Sequence, residues 1–165
     1  MKLKILIVED EAPVGDLLET AITNRLKGLE HEPCVKRCRS IPQSKSDLGD
    51  FRPHIVTLDL KDDSTDDMSA GKPAWEFIRD THFCPVVFFS ANALPDGFPD
   101  GTDPFAQYLN KNEKKADDVA ATIESFIPHI IGLEGIRSEV ESRYARSLQK
   151  VLSWFTGKWN LLPQS

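Results

Sequence analysis

Short apolar runs alternate along this chain with stretches in which apolar residues recur every three or four positions. Lys4 to Val8, Ile55 to Leu60, Pro85 to Phe89 and Phe105 to Leu109 are compact runs, mostly β-branched or aromatic. Runs of this length and make-up predict strands, those of Val, Ile and Leu buried on both faces of a sheet. Val14, Leu17, Leu18, Ala21, Ile22 and Leu26 form a helical stripe that opens at Pro13 and stops at Gly28. Cys34 to Arg39 predicts a weaker edge strand. Ser40 and Pro42 predict a second helix that ends before Pro53, and Ala74 to Thr81 a third. Glu113 to Ile127 predicts another, with Ala116, Val119, Ala120, Ile123 and Ile127 on one side. Strands alternating with helices predict an α/β fold with a parallel sheet.

Three segments interrupt this rhythm. Lys61 to Gly71 is polar and acidic without a period, hence a loop. It fails as a calcium loop, because Asp67 stands in place of the turn glycine and Pro73 in place of the closing Glu. Asn92 to Pro104 carries Pro95, Pro99, Pro104, Gly97 and Gly101. Each interior proline costs a helix about 3 kcal/mol, so an irregular loop is expected there. Pro128, Gly132 and Gly135 predict a break, after which Ile136, Val140, Tyr144, Leu148, Leu152 and Phe155 form a new amphipathic helix. The expected organisation is one domain over 1–131 and a helical extension over 132–165.

Composition narrows the class. Of 165 residues, 40% are hydrophobic and 28% charged, the balance of a globular chain. A net charge of −6 argues against non-specific nucleic-acid binding, which needs a basic face. No apolar run reaches the roughly 20 residues of a membrane span, and Lys2 to Val8 is too short for a secretory signal. Three cysteines, an odd number, fit a reducing cytoplasm. His31, Cys34 and Cys38 offer zinc three ligands with no fourth nearby. On a strand Cys34 and Cys38 would stand roughly 13 Å apart, too far for a disulfide.

The candidate chemistry collects at strand ends. Asp59 stands near the end of the apolar, β-branched run from Ile55, where burying a lone carboxylate is expensive, so it belongs where the strand emerges. Open parallel sheets place their sites outside the carboxyl ends of the strands. The other ends carry Glu9-Asp10-Glu11, Ser90-Ala91, and Asn110 followed by Lys111.

An acidic pair, an Asp, a hydroxyl and a Lys in this order resemble the receiver domain of two-component response regulators, from Lys2 to about Ile130. The resemblance implies a doubly wound, flavodoxin-like sheet of five parallel strands in the order 2-1-3-4-5. It implies that Asp59 accepts a phosphoryl group from a sensor histidine kinase or a phosphotransfer protein. Mg²⁺ would be held by Glu9, Asp10, Asp59 and the backbone carbonyl of Lys61. Lys111 supplies a second cation, Ser90 the switch hydroxyl and Tyr108 the aromatic switch position. Such a domain catalyses only its own phosphorylation and dephosphorylation. The chain departs from the family in its longer loop after Asp59, in Asn112 where Pro is usual, and in the broken fourth-helix segment.

Rival readings lack parts. An Asp-nucleophile phosphatase of the haloacid dehalogenase type needs a second Asp where Lys61 stands. A flavodoxin would meet phosphate with Glu9-Asp10-Glu11, which repels it. A receiver-like scaffold that is never phosphorylated remains the alternative. Beyond the resemblance, the segment from Glu134 to Trp159 holds five basic and three acidic residues, net +2 against −8 for the rest. It can pair with a second copy through residues 136–159, dock on a bare flank left by the broken fourth helix, or lie on a membrane surface.

Overall fold

The computed structural model describes residues 2–61, 71–94, 98 and 103–159, with side chains to 154. Its elements are β1 (Lys2–Val8), α1 (Ala12–Leu26), β2 (Glu32–Cys38), α2 (Ile41–Phe51), β3 (Ile55–Leu58), α3 (Gly71–Thr81), β4 (Val86–Ser90), β5 (Ala106–Asn110) and α4 (Ala116–Trp159). All strand pairs are parallel, and the sheet order is β2-β1-β3-β4-β5. This is the doubly wound order that the receiver resemblance implies, on the parallel α/β sheet expected from the alternation of strands and helices.

Local signals explain most boundaries. Ser40 caps α2 by accepting the Gln43 N–H at 3.3 Å, with Pro42 in the first turn. Arg52 ends that helix at φ 50, a left-handed position that a side chain tolerates at some cost. Gly28, at φ 93, turns the chain two residues after α1. Asp117 and Asp118 sit in the first turn of α4, where the helix dipole favours acids. Several ends shift by a residue or more from the expected ones. The run Ile55 to Leu60 stops being a strand at Leu58, although Asp59 and Leu60 remain buried.

Strand alternation splits the core between the two faces of the sheet. Leu3, Ile5, Ile7, Ile55 and Val87 pack with α1 and the first part of α4 on one face. Leu6, Val8, Val56, Leu58 and Phe88 pack with α2 and α3 on the other. Among the described residues between β4 and β5 there is no helix. The flank there is less bare than expected, because Phe98 is buried against Trp75 and Phe88, with ring centroids 5.4 Å from each. The other prolines and glycines of that segment, apart from Pro104, lie outside the described residues.

One expectation is overturned. Pro128, Gly132 and Gly135 do not break the chain, and α4 continues through all three. Pro128 faces solvent, so the carbonyl it leaves unpaired can be hydrated. On the opposite side Phe126, Ile127 and Ile130 are buried, and their packing offsets the loss of one helical hydrogen bond.

Two compact units share the chain, Met1–Ile130 and Ile131–Ser165. Within the second, Ile136, Val140, Tyr144, Leu148, Val151 and Leu152 are exposed. By length and composition alone, Ala116–Trp154 could cross a membrane, but core helices pass the same test. Val119, Ala120, Ile123 and Ile127 lie in the core of the first unit, which makes that reading weak.

Candidate functional site

The sheet register assembles the site. Val8 pairs with Leu58 across β1 and β3, so Glu9 and Asp59 leave neighbouring strands side by side. The Asp59 N–H still donates to the Val8 carbonyl at 3.0 Å, which holds the two ends together. Ser90 pairs with Asn110 across β4 and β5, and Lys111 follows, its N–H donating to the Ser90 carbonyl at 3.0 Å. Four residues far apart in sequence thus share one rim.

Lys111 joins the acids. Its Nζ lies 2.6 Å from Asp59 Oδ2 and 2.8 Å from Glu9 Oε2. Glu9 and Asp59 are both buried, whereas Asp10 is half-buried. Glu9, Asp10 and Asp59 each present one carboxylate oxygen within 4.8 Å of the others. Burial pushes the Glu9 carboxyl up to about 7, against the opposing pull of Lys111. Burial alone would lower the Lys111 ammonium, but its bonds to Asp59 and Glu9 outweigh that and raise it. A buried carboxylate is costly to keep charged without a partner, so the rim calls for more positive charge than one lysine supplies. Three acids to the one lysine bonded to Asp59 and Glu9 leave a deficit of positive charge there, which ionisation of Glu9 deepens. Hard oxygen donors with that deficit could hold a divalent metal ion.

Lys61 borders the same cleft, and its N–H donates to Asp59 Oδ1 at 3.2 Å. Arg39, exposed at the end of β2, lines it too. The sequence reading missed Arg39. It follows a weak edge strand, and only the β1–β2 pairing carries it to the rim.

Ser90 and Tyr108 form a neighbouring pair. Ser90 is fully buried, and its Oγ accepts the Asn92 N–H at 3.5 Å. Tyr108 donates its hydroxyl to the Asn92 carbonyl at 2.8 Å and reaches the Ser90 carbonyl at 3.5 Å. These bonds tie the end of β4 to β5. Phe89, also unremarked in the sequence, lies beneath Lys111, 5.6 Å from Nζ to ring centroid.

Comparison with solved structures places the architecture. The chain is similar to a signal receiver domain from Vibrio parahaemolyticus, with TM-score 0.62 and 18% identity over 82% of this chain and 97% of that one. It is equally similar in TM-score, 0.62, to a CheY-like response regulator receiver domain from Methanospirillum hungatei JF-1, at 14% identity over 80% and 98% of the two chains. The fold is that of a response-regulator receiver. The receiver domain of a modulated diguanylate cyclase from Desulfovibrio desulfuricans G20 matches with TM-score 0.59 and 22% identity, over 81% and 99%. No protein-family model matches the sequence, and no curated protein matches it either. The receiver likeness is therefore one of fold, and the site must be argued from its own residues.

Proposed function

We propose that the chain is a working receiver that accepts a phosphoryl group on Asp59 from a sensor histidine kinase or a phosphotransfer protein, and signals by protein contact. The observation that carries this is the meeting of Lys111 with Asp59 and Glu9, beside Asp10, at the ends of three strands. A structural ion pair needs one acid. Three acids and a lysine, gathered at a strand-end cleft, suit the transfer of a group that brings its own negative charge.

Asp59 supplies the attacking oxygen. As its bond to phosphorus forms, the phosphorus–nitrogen bond of a phosphohistidine breaks, and the imidazole leaves with the electron pair. Lys111, bonded to Asp59, offsets charge on the incoming oxygens. Glu9, Asp10, Asp59 and the Lys61 carbonyl would hold Mg²⁺, which when bound supplies further neutralisation of those oxygens. Ser90 and Tyr108 are the proposed switch pair. Cys34, Cys38 and Cys84 are not joined in disulfides, which accords with a reducing cytoplasm.

The donor has a surface suited to it. An apolar groove of about 490 Å³ runs between Val14, Leu17 and Ala21 of α1 and Phe89, with Lys111 and Lys115 also lining it. Because Lys111 belongs to both, the groove adjoins the acceptor. A donor helix carrying the phosphohistidine fits that position.

The test is to incubate the protein with acetyl phosphate, with and without Mg²⁺, and record intact mass. One added phosphoryl group is expected only with Mg²⁺, and none in Asp59→Asn. Wild-type labelling of Asp59→Asn would reject the assignment.

A further inference from the structure

The stripe beyond the receiver core has a spacing and a charge order that together specify a partner. Ile136, Val140, Tyr144, Leu148 and Val151 are 45–69% exposed along one side of α4. Their spacing is 4-4-4 and then 3 to Val151, or 4 to the equally exposed Leu152, an average above 3.6 either way. A left-handed coiled coil needs an average of 3.5, and longer spacings give a straight or right-handed crossing. The stripe therefore suits a short helix-to-helix contact better than a long supercoil.

The charges are sorted along the same helix. Glu134, Glu139 and Glu141 fall on the N-terminal side with one basic residue, Arg137. Arg143, Arg146 and Lys150 follow, with no acid after Glu141 up to Trp159. The sign changes between Glu141 and Arg143, and the apolar stripe from Ile136 to Val151 has its midpoint next to Tyr144. These two centres nearly coincide.

We infer that this segment pairs antiparallel with the same segment of a second copy, about a two-fold axis near Tyr144. Antiparallel pairing lays the acidic half of each helix on the basic half of the other. Parallel pairing would stack like on like along the whole contact. An isologous contact of this kind is closed, so it stops at the dimer. Arg137–Glu134 and Arg143–Glu139 are paired within the helix at 2.8 and 2.6 Å. Both are exposed, and such pairs exchange partners at little cost. The inference is independent of phosphorylation at Asp59.

Sedimentation of the full chain over a range of concentration and salt tests it. A dimer that weakens with salt is expected. Glu134→Lys with Glu139→Lys and Glu141→Lys should weaken it roughly tenfold or more. Arg143→Glu with Arg146→Glu and Lys150→Glu should do the same, and all six changes together should restore it. Circular dichroism checks that each variant keeps its helix. If the Arg143/Arg146/Lys150 reversal leaves the dimer as tight or tighter, the copies are parallel and the inference falls. A monomer at every concentration, as intramolecular docking would give, also overturns it. So does binding of monomers to phosphatidylserine vesicles in place of self-association.

Discussion

Arg39 shows how a single exposed cation can act in two directions at an acidic rim. It lines the cleft with Asp10, Asp59 and Lys61. Removing it takes positive charge from beside the carboxylates, which should favour a metal cation and disfavour an incoming anion. Arg39 is exposed, so solvent screens both effects. Arg39→Ala is expected to tighten Mg²⁺ binding roughly two- to five-fold, the range of an exposed pair. Labelling by acetyl phosphate at saturating Mg²⁺ should slow by a similar factor. Titration calorimetry reads the first, and weaker or unchanged metal binding would show that the guanidinium is not felt at the acids.

At the scale of elements, the sharpest constraint lies where α3 starts. Gly71 donates its N–H to the Leu60 carbonyl at 3.1 Å, and a Cβ there would meet the Leu60 Cα at 2.8 Å. Backbone on both sides leaves little room to relax. Gly71→Ala should therefore destabilise the fold by about 1–3 kcal/mol, the usual cost of overpacking. It should also disturb Asp59, one residue before Leu60. Chemical denaturation measures the first, and a variant as stable as the parent would show that the loop yields. Gly15 makes a softer case. The atoms a Cβ would meet there belong to the Arg37 guanidinium, the far end of a flexible side chain.

For the whole molecule, the groove between α1 and the Asp59 rim separates two routes for the proposed phosphorylation of Asp59. A small phosphodonor needs only the cleft, whereas a protein donor needs a surface. Leu17 is 63% exposed at the groove, so Leu17→Glu should leave stability and acetyl phosphate labelling unchanged. Transfer from a phosphorylated histidine phosphotransfer protein that labels the parent should fall roughly tenfold or more, as for a central interface residue. Equal transfer to both would move the docking surface elsewhere.

The sequence by itself determined what depends on period and residue type. Alternating runs specified a parallel α/β sheet, because strand burial and helix amphipathicity are local patterns, whereas the strand order came from the receiver resemblance of the site residues. The acids and Lys111 were legible for the same reason: a charged group directly after an apolar run has to lie at a strand end. Tertiary structure decided what depends on neighbours. Pro128 looks like a breaker in sequence, yet the packing of Phe126, Ile127 and Ile130 carries the helix across it. Phe98 lies in a proline-rich stretch without a period, and only its stacking on Trp75 shows that it joins the core. Arg39 needed the β1–β2 register to reach the site, and the 2.6 Å approach of Lys111 to Asp59 needed the whole sheet. Periodicity records which face of an element is apolar. It does not record which distant residue that face meets, because that follows from the summed packing of all the elements.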